Sequence, residues 1–163
     1  MARANPGRPS GFPSGPVPER DPAARLRVVV VSHHAEDARE LVASLADAGT
    51  AARAATRGAV MAWGDGEVRA VEVVVLETAE LGDEELGLVE RVRERSPMTE
   101  IVVLSSDPRT EGAVQAVRSG VHSVLRAPVS PERLACEIEA ARKRRRHGET
   151  RMSELSKEPK AEP

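Results

Sequence analysis

Polar side chains that could do chemistry stand at the ends of four apolar runs. Ser32 and His33 follow Val28-Val29-Val30-Val31, Glu77 follows Val73-Val74-Val75-Leu76, and Ser105 follows Ile101-Val102-Val103-Leu104. Ala127-Pro128 follows the shorter segment Ser123–Arg126. A carboxylate, an imidazole and two hydroxyls could line a polar pocket or touch a cation. Hydrolytic chemistry is a poor match, because Ser105 has no His–Asp partner to activate it. His33 and His34 are consecutive, so at a strand end they point apart. A zinc site wants three or four nitrogen or sulfur ligands, and the spacing of His122 and His147 does not supply them. We therefore expect ordinary loop histidines, no bound metal and no cofactor. Cys136 falls beside an apolar stripe and reads as packing rather than chemistry. Gly64-Asp65-Gly66 is a turn signal. Neither the dinucleotide fingerprint nor the phosphate-binding loop motif is present, which removes the main α/β enzyme classes.

The elements that would position these residues alternate. Short β-branched runs without polar alternation suit strands covered on both faces, as in a parallel sheet. Shorter strands are expected at Ala51–Ala55 and Ser123–Arg126. Helical stripes lie between them: Ala38, Leu41, Val42, Leu45 and Ala48, stopped at Gly49; Leu88, Val89 and Val92, closed by Pro97; Ala113, Ala116 and Val117, ending near Gly120. Gly58–Trp63 is a further helical segment, soon interrupted by glycines. The last helix starts with Ser130 as N-cap and Pro131 at the first helical position. Leu134, Ile138 and Ala141 face inward, and Arg142–Arg146 put positive charge at the negative end of the helix dipole. Five strands alternating with five helices predict a three-layer α/β domain with right-handed crossovers. In such sheets, sites lie beyond the carboxyl ends of the strands, which here are Ser32-His33, Glu77, Ser105 and Ala127.

With 163 residues and a formal charge of −2, the chain fits one domain and carries no global field favouring nucleic acid or membranes. A single Cys excludes an internal disulfide and permits a reducing compartment. No apolar run approaches a membrane span, and the first residues lack the apolar stretch of a secretory signal, so a cytoplasmic protein is expected. Residues 1–24 hold six of the twelve prolines and read as a disordered arm; residues 147–163 read as a disordered tail. That leaves 25–146 as the folded domain. With Phe12 and Trp63 its only aromatics, the chain must build its core from Val, Leu, Ile and Ala.

From Leu26 to Arg142 the chain resembles a response-regulator receiver domain, which has a flavodoxin-like (βα)5 fold with strand order 2-1-3-4-5. The resemblance rests on the strand ends and their spacing. It implies an acidic Mg2+-binding pair where Ser32 and His33 stand, a phosphorylated Asp at Glu77, a Thr or Ser at Ser105, and a Lys-Pro pair at Ala127-Pro128. It also implies an aromatic switch at Val124. Only the Ser105 hydroxyl and Pro128 fit that pattern. Mg2+ usually takes one or two carboxylates, and phosphoryl transfer needs developing charge neutralised by metal and cations. Glu77 is the one acid left, and the first Lys of the chain is Lys143. Arg126 adjoins Ala127, but neighbouring strand residues point to opposite faces. Mg2+ binding is thus expected to be lost or weak.

The expected function is that of a degenerate, non-phosphorylatable receiver in bacterial two-component signalling, acting through protein contacts and not as an enzyme. Its partner would be a histidine kinase, another regulator or an effector. The resemblance places the output surface, and a possible homodimer contact, on the fourth helix, fifth strand and last helix, including Val124, Arg126 and Pro128. One alternative is a divergent receiver phosphorylated at Glu77, or one in which Glu77 mimics the phosphate with a single charge against roughly 1.5 to 2. A mimic should engage Ser105. A second alternative is an accessory nucleic-acid-binding protein using Arg142–Arg146, which lacks aromatics to stack bases.

Overall fold

A run of four valines has no polar face to give to water, so it needs cover on both sides. A computed structural model, which describes residues 27–157, provides that cover. The strands are β1 (Val28–Val31), β2 (Arg53–Ala55), β3 (Val73–Glu80), β4 (Glu100–Asp107) and β5 (Ser123–Arg126). They form one parallel sheet in the order β2-β1-β3-β4-β5, the predicted topology. The helices are α1 (Ala35–Asp47), α2 (Arg57–Ala62), α3 (Asp65–Ala70), α4 (Asp83–Arg95), α5 (Thr110–Arg118) and α6 (Pro131–Lys157).

Side chains alternate across the sheet, and the core divides accordingly. Val29, Val31, Val74, Leu76, Ile101 and Val103 pack beneath α2, α3, α4 and α5. Val28, Val30, Val73, Val75, Val102 and Leu104 pack on the other face, against Ala38 and Leu45 of α1 and Leu134, Ile138 and Ala141 of α6. At the turns ending α1 and α5, Gly49 and Gly120 adopt φ of 89° and 93°, a region costly for any residue with a Cβ.

Five expectations need correction. Strand β2 starts at Arg53 rather than Ala51. The second crossover is two short helices, α2 and α3, because the chain breaks at Trp63-Gly64. Thr56 caps α2 by accepting from the Ala59 N–H (3.1 Å), and Arg95 holds the break by donating to the Trp63 carbonyl (3.1 Å) and pairing with Asp65 (3.1 Å). Val117 is exposed: α5 lies over β5, an edge strand, so no further layer covers that side of the helix. Cys136 is likewise exposed.

The last helix differs most. Ser130 caps it as expected, accepting from the Arg133 N–H at 3.2 Å. It then continues to Lys157, through residues expected to be a disordered tail. With 27 residues it is about 40 Å long. Three arginines fasten it to the end of the sheet where the strands begin. Arg142 pairs with Glu72 (2.8 Å), Arg144 approaches the buried Glu100 (3.8 Å), and Arg145 donates to the backbone carbonyls of Val71 and Arg69 and pairs with Glu149 (2.8 Å). Gly148 lies against the flexible end of the Met98 side chain. The 1–24 arm and residues 158–163 lie outside the described residues.

Candidate functional site

The strand ends named from sequence do converge at one end of the sheet, but they are occupied by contacts within the protein. Ser32 is buried, and its Oγ accepts from the His34 N–H at 3.4 Å. His33 is exposed, with Nε2 3.5 Å from Oε1 of Glu85. Glu77 is half-buried on β3 and sits in register with Leu104. Burial raises its pKa above the ordinary 4.5, and the nearby charges of Asp37 and Glu40 push the same way. Ser105 is fully buried and donates to the Ala79 carbonyl at 3.1 Å rather than to Glu77. The Ala127 N–H donates to the Ser105 carbonyl at 2.8 Å, so the tips of β3, β4 and β5 are linked in series. Ala127 itself packs with the core beneath α1 and α6. Val124 packs against the opposite core layer, while Arg126 and Pro128 are exposed.

Four residues that the sequence reading did not name make up the charged part of the site. Arg57, immediately after β2, places Nη1 2.6 Å from Oε1 of Glu85 and 3.7 Å from Glu84. Its Nη2 donates to Thr78 Oγ1 at 3.5 Å. Thr78 donates to the Glu80 carbonyl at 2.8 Å. The second oxygen of Glu85 accepts from the Gly82 N–H at 2.9 Å and so caps the start of α4 from within the helix. Burial opposes ionisation of Glu85, but the bond from Arg57 and the backbone N–H of Gly82 outweigh it and hold the carboxyl below its ordinary value. A signal for Arg57 was available. It follows the carboxyl end of the second strand, the one strand end not counted among the candidates.

The resulting cleft, about 260 Å³, is lined by His33, Thr78, Ala79, Glu80, Gly82 and Glu85. A larger groove of about 700 Å³ lies at the opposite end of the sheet, between the start of β1, the end of α1 and α6. None of the five strand-end residues lines that groove. The donor set does not fit Mg2+. The acidic-pair position offers one hydroxyl tied to a backbone N–H and one imidazole tied to Glu85, and Glu77 is the only carboxylate at the acceptor position. Ser105, buried and donating to a carbonyl, is not placed as an activated nucleophile.

This geometry is that of a flavodoxin-like fold in which side chains at the polar end of the sheet are bonded to one another. Solved structures agree on the fold. A pilus-assembly-related protein from Burkholderia pseudomallei K96243 is 23% identical over 75% of this chain and 92% of its own, with a TM-score of 0.63. A response regulator receiver domain (CheY-like) from Methanospirillum hungatei JF-1 is 18% identical over 76% and 98%, with a TM-score of 0.61. NtrX from Brucella abortus is 26% identical over 78% of this chain but only 29% of that longer chain, with a TM-score of 0.63. No protein-family model and no curated protein matches the sequence.

Proposed function

We propose that this chain is a non-phosphorylatable receiver-like module that acts in bacterial signal transduction by binding another protein. The observation that carries the reading is the state of Ser105. In the resemblance this hydroxyl answers to a phosphorylated neighbour; here it is fully buried and committed to the Ala79 carbonyl. The position where the resemblance implies a Lys is an alanine packed in the core, so no cation stands there to draw a phosphoryl group in. The positions where the resemblance implies an acidic pair, an Asp and a Lys hold Ser32, His33, Glu77 and Ala127 instead.

Contact with a partner would fall on the face formed by α5, β5 and α6. Val114 and Val117 expose 43% and 59% of their surface there, with Arg126 and Pro128 nearby at the end of β5. A kinase, another regulator, an effector or a second copy of the chain would suit such a face. A cytoplasmic setting is part of the proposal. Among the described residues, no helix is long and apolar enough to cross a membrane.

The two alternatives lose support from particular contacts. As a phosphate mimic, Glu77 would need a bond to Ser105, and Ser105 bonds elsewhere. As a nucleic-acid patch, Arg142–Arg146 would need free cations, yet Arg142, Arg144 and Arg145 face acids or carbonyls of their own chain. The test is incubation with a small phosphodonor and Mg2+, read by intact mass. An unmodified mass is expected. A phosphoryl adduct lost in Glu77→Gln would overturn the proposal in favour of a divergent, phosphorylatable receiver.

A further inference from the structure

We propose that Arg57 is a resident cation behind the wall of the strand-end cleft, held against Glu85 and Thr78, doing by a fixed side chain what a divalent ion does in a metal-binding pocket. The inference rests on reading the cleft as unable to take Mg2+, and goes beyond it by naming what stands in its place.

The ligand atoms of His33, Glu84 and Glu85 lie within 4.8 Å of one another, a spacing at which three side chains could share a metal ion. Imidazole and carboxylates together suit a borderline metal better than Mg2+. The guanidinium, however, is already against the cluster. Its Nη1 lies 2.6 Å from Glu85 and 3.7 Å from Glu84, and the Arg57 side chain is only 16% exposed. Arginine stays protonated under all ordinary conditions. A metal ion arriving at Glu85 would therefore meet a fixed positive charge at contact distance.

The arrangement also ties separate elements together. Arg57 comes from the first turn of α2, His33 from the loop after β1, Thr78 from β3, and Glu84 and Glu85 from the first turn of α4. One cation draws these into a single arrangement. A bound divalent ion would make that arrangement depend on metal concentration; a covalently attached guanidinium makes it permanent. The cleft is then locked in one state, independent of metal concentration.

Removing the guanidinium should expose the latent ligand set. The probe is Co2+, whose visible absorption changes when protein ligands replace its water shell, titrated into the full chain. Wild type should show no saturable band. Arg57→Met should gain Co2+ binding by about tenfold or more, the scale on which the groups around a metal site alter its affinity. Arg57→Met/His33→Ala should lose that gain, and Arg57→Lys, which keeps a cation, should behave as wild type. Saturable Co2+ binding by wild type overturns the inference, as does a folded Arg57→Met protein that gains nothing. Should Arg57→Met fail to fold, Arg57→Lys decides. A folded, Co2+-free Lys variant supports the resident-cation role, and one as unfolded as the Met variant overturns it. A phosphoryl adduct on wild type would count against the proposed function while leaving the Co2+ result to judge Arg57 alone.

Discussion

Replacing Arg145 by Met tests whether the basic end of the last helix is a structural clamp. Arg145 is 8% exposed, and its guanidinium donates to the carbonyls of Val71 and Arg69 while pairing with Glu149. Each hydrogen bond from a charged donor contributes about 1.5–3 kcal/mol. The pair with half-exposed Glu149 contributes roughly 0–1 kcal/mol. Methionine keeps much of the side chain's apolar stem and removes the cost of burying a cation, which moves the net loss to the low end, about 3 kcal/mol. For a domain of this size that is a fall in Tm of about 10 °C. Thermal melting followed by far-UV circular dichroism is the assay. Arg145→Lys, which keeps the charge but lacks the forked geometry, should recover part of the loss. A Tm for Arg145→Met within about 3 °C of wild type would refute the clamp and return Arg145 to the pool of cations available to an external partner.

Other perturbations have defined outcomes. Because the Glu77 pKa is raised above 4.5, its ionised form burdens the fold at neutral pH, and that burden disappears as pH falls through the folded pKa towards 4.5. Glu77→Gln should therefore melt higher than wild type at pH 7, with the gap closing below pH 4.5 in a pH series of melts. Ending the chain after Arg146 removes Glu149 and the contact of Gly148 with Met98. It should cost about 1 kcal/mol, a Tm lower by roughly 3–5 °C, whereas an unchanged Tm would show that this stretch of α6 does not brace the domain. Val117→Glu, on the exposed side of α5, should alter stability by no more than about 0.5 kcal/mol in urea unfolding, and a larger loss would place Val117 in a core.

The sheet was legible in the sequence because burial on both faces leaves a mark: Val28–Val31, Val73–Leu76 and Ile101–Leu104 have no polar alternation, and no other common setting suits so many β-branched residues in short runs. Strand ends followed from strand positions, so the convergence of Ser32, Glu77 and Ser105 was available too. What did not show was contact across long sequence separations. Arg57 and Glu85 are 28 residues apart in number but in contact in space, and neither belongs to an apolar pattern. The helical tail was missed for the same reason. Residues 147–157 look like solvated linker by composition, and the helix is braced where it leaves the sheet by Arg145, whose partners at Arg69 and Val71 are 76 and 74 residues away. Val117 failed differently: its helical phase pointed to the core, but β5 is the edge of the sheet, and a pattern on one helix cannot say how far the next layer extends.

These contacts also decide how the two ends of the domain divide the work of its charges. At the starts of the strands, Arg142 and Arg27 hold Glu72 ionised against the cost of its burial, so its carboxyl stays below the ordinary range. At the ends of the strands Arg57 does the same for Glu85. Glu77 is the exception. It is the one acid in the cleft region whose surroundings, buried and facing Asp37 and Glu40, work against its charge. An activating mimic requires the opposite: a carboxylate stabilised as an anion and engaged by a hydroxyl or cation. Arg57 could have met that need, but its contacts are with Glu84, Glu85 and Thr78. Arg57 is thus engaged at the start of α4 and not at Glu77. Beyond the cleft, Val114 and Val117 stand exposed on a scaffold whose strand tips are already bonded to one another.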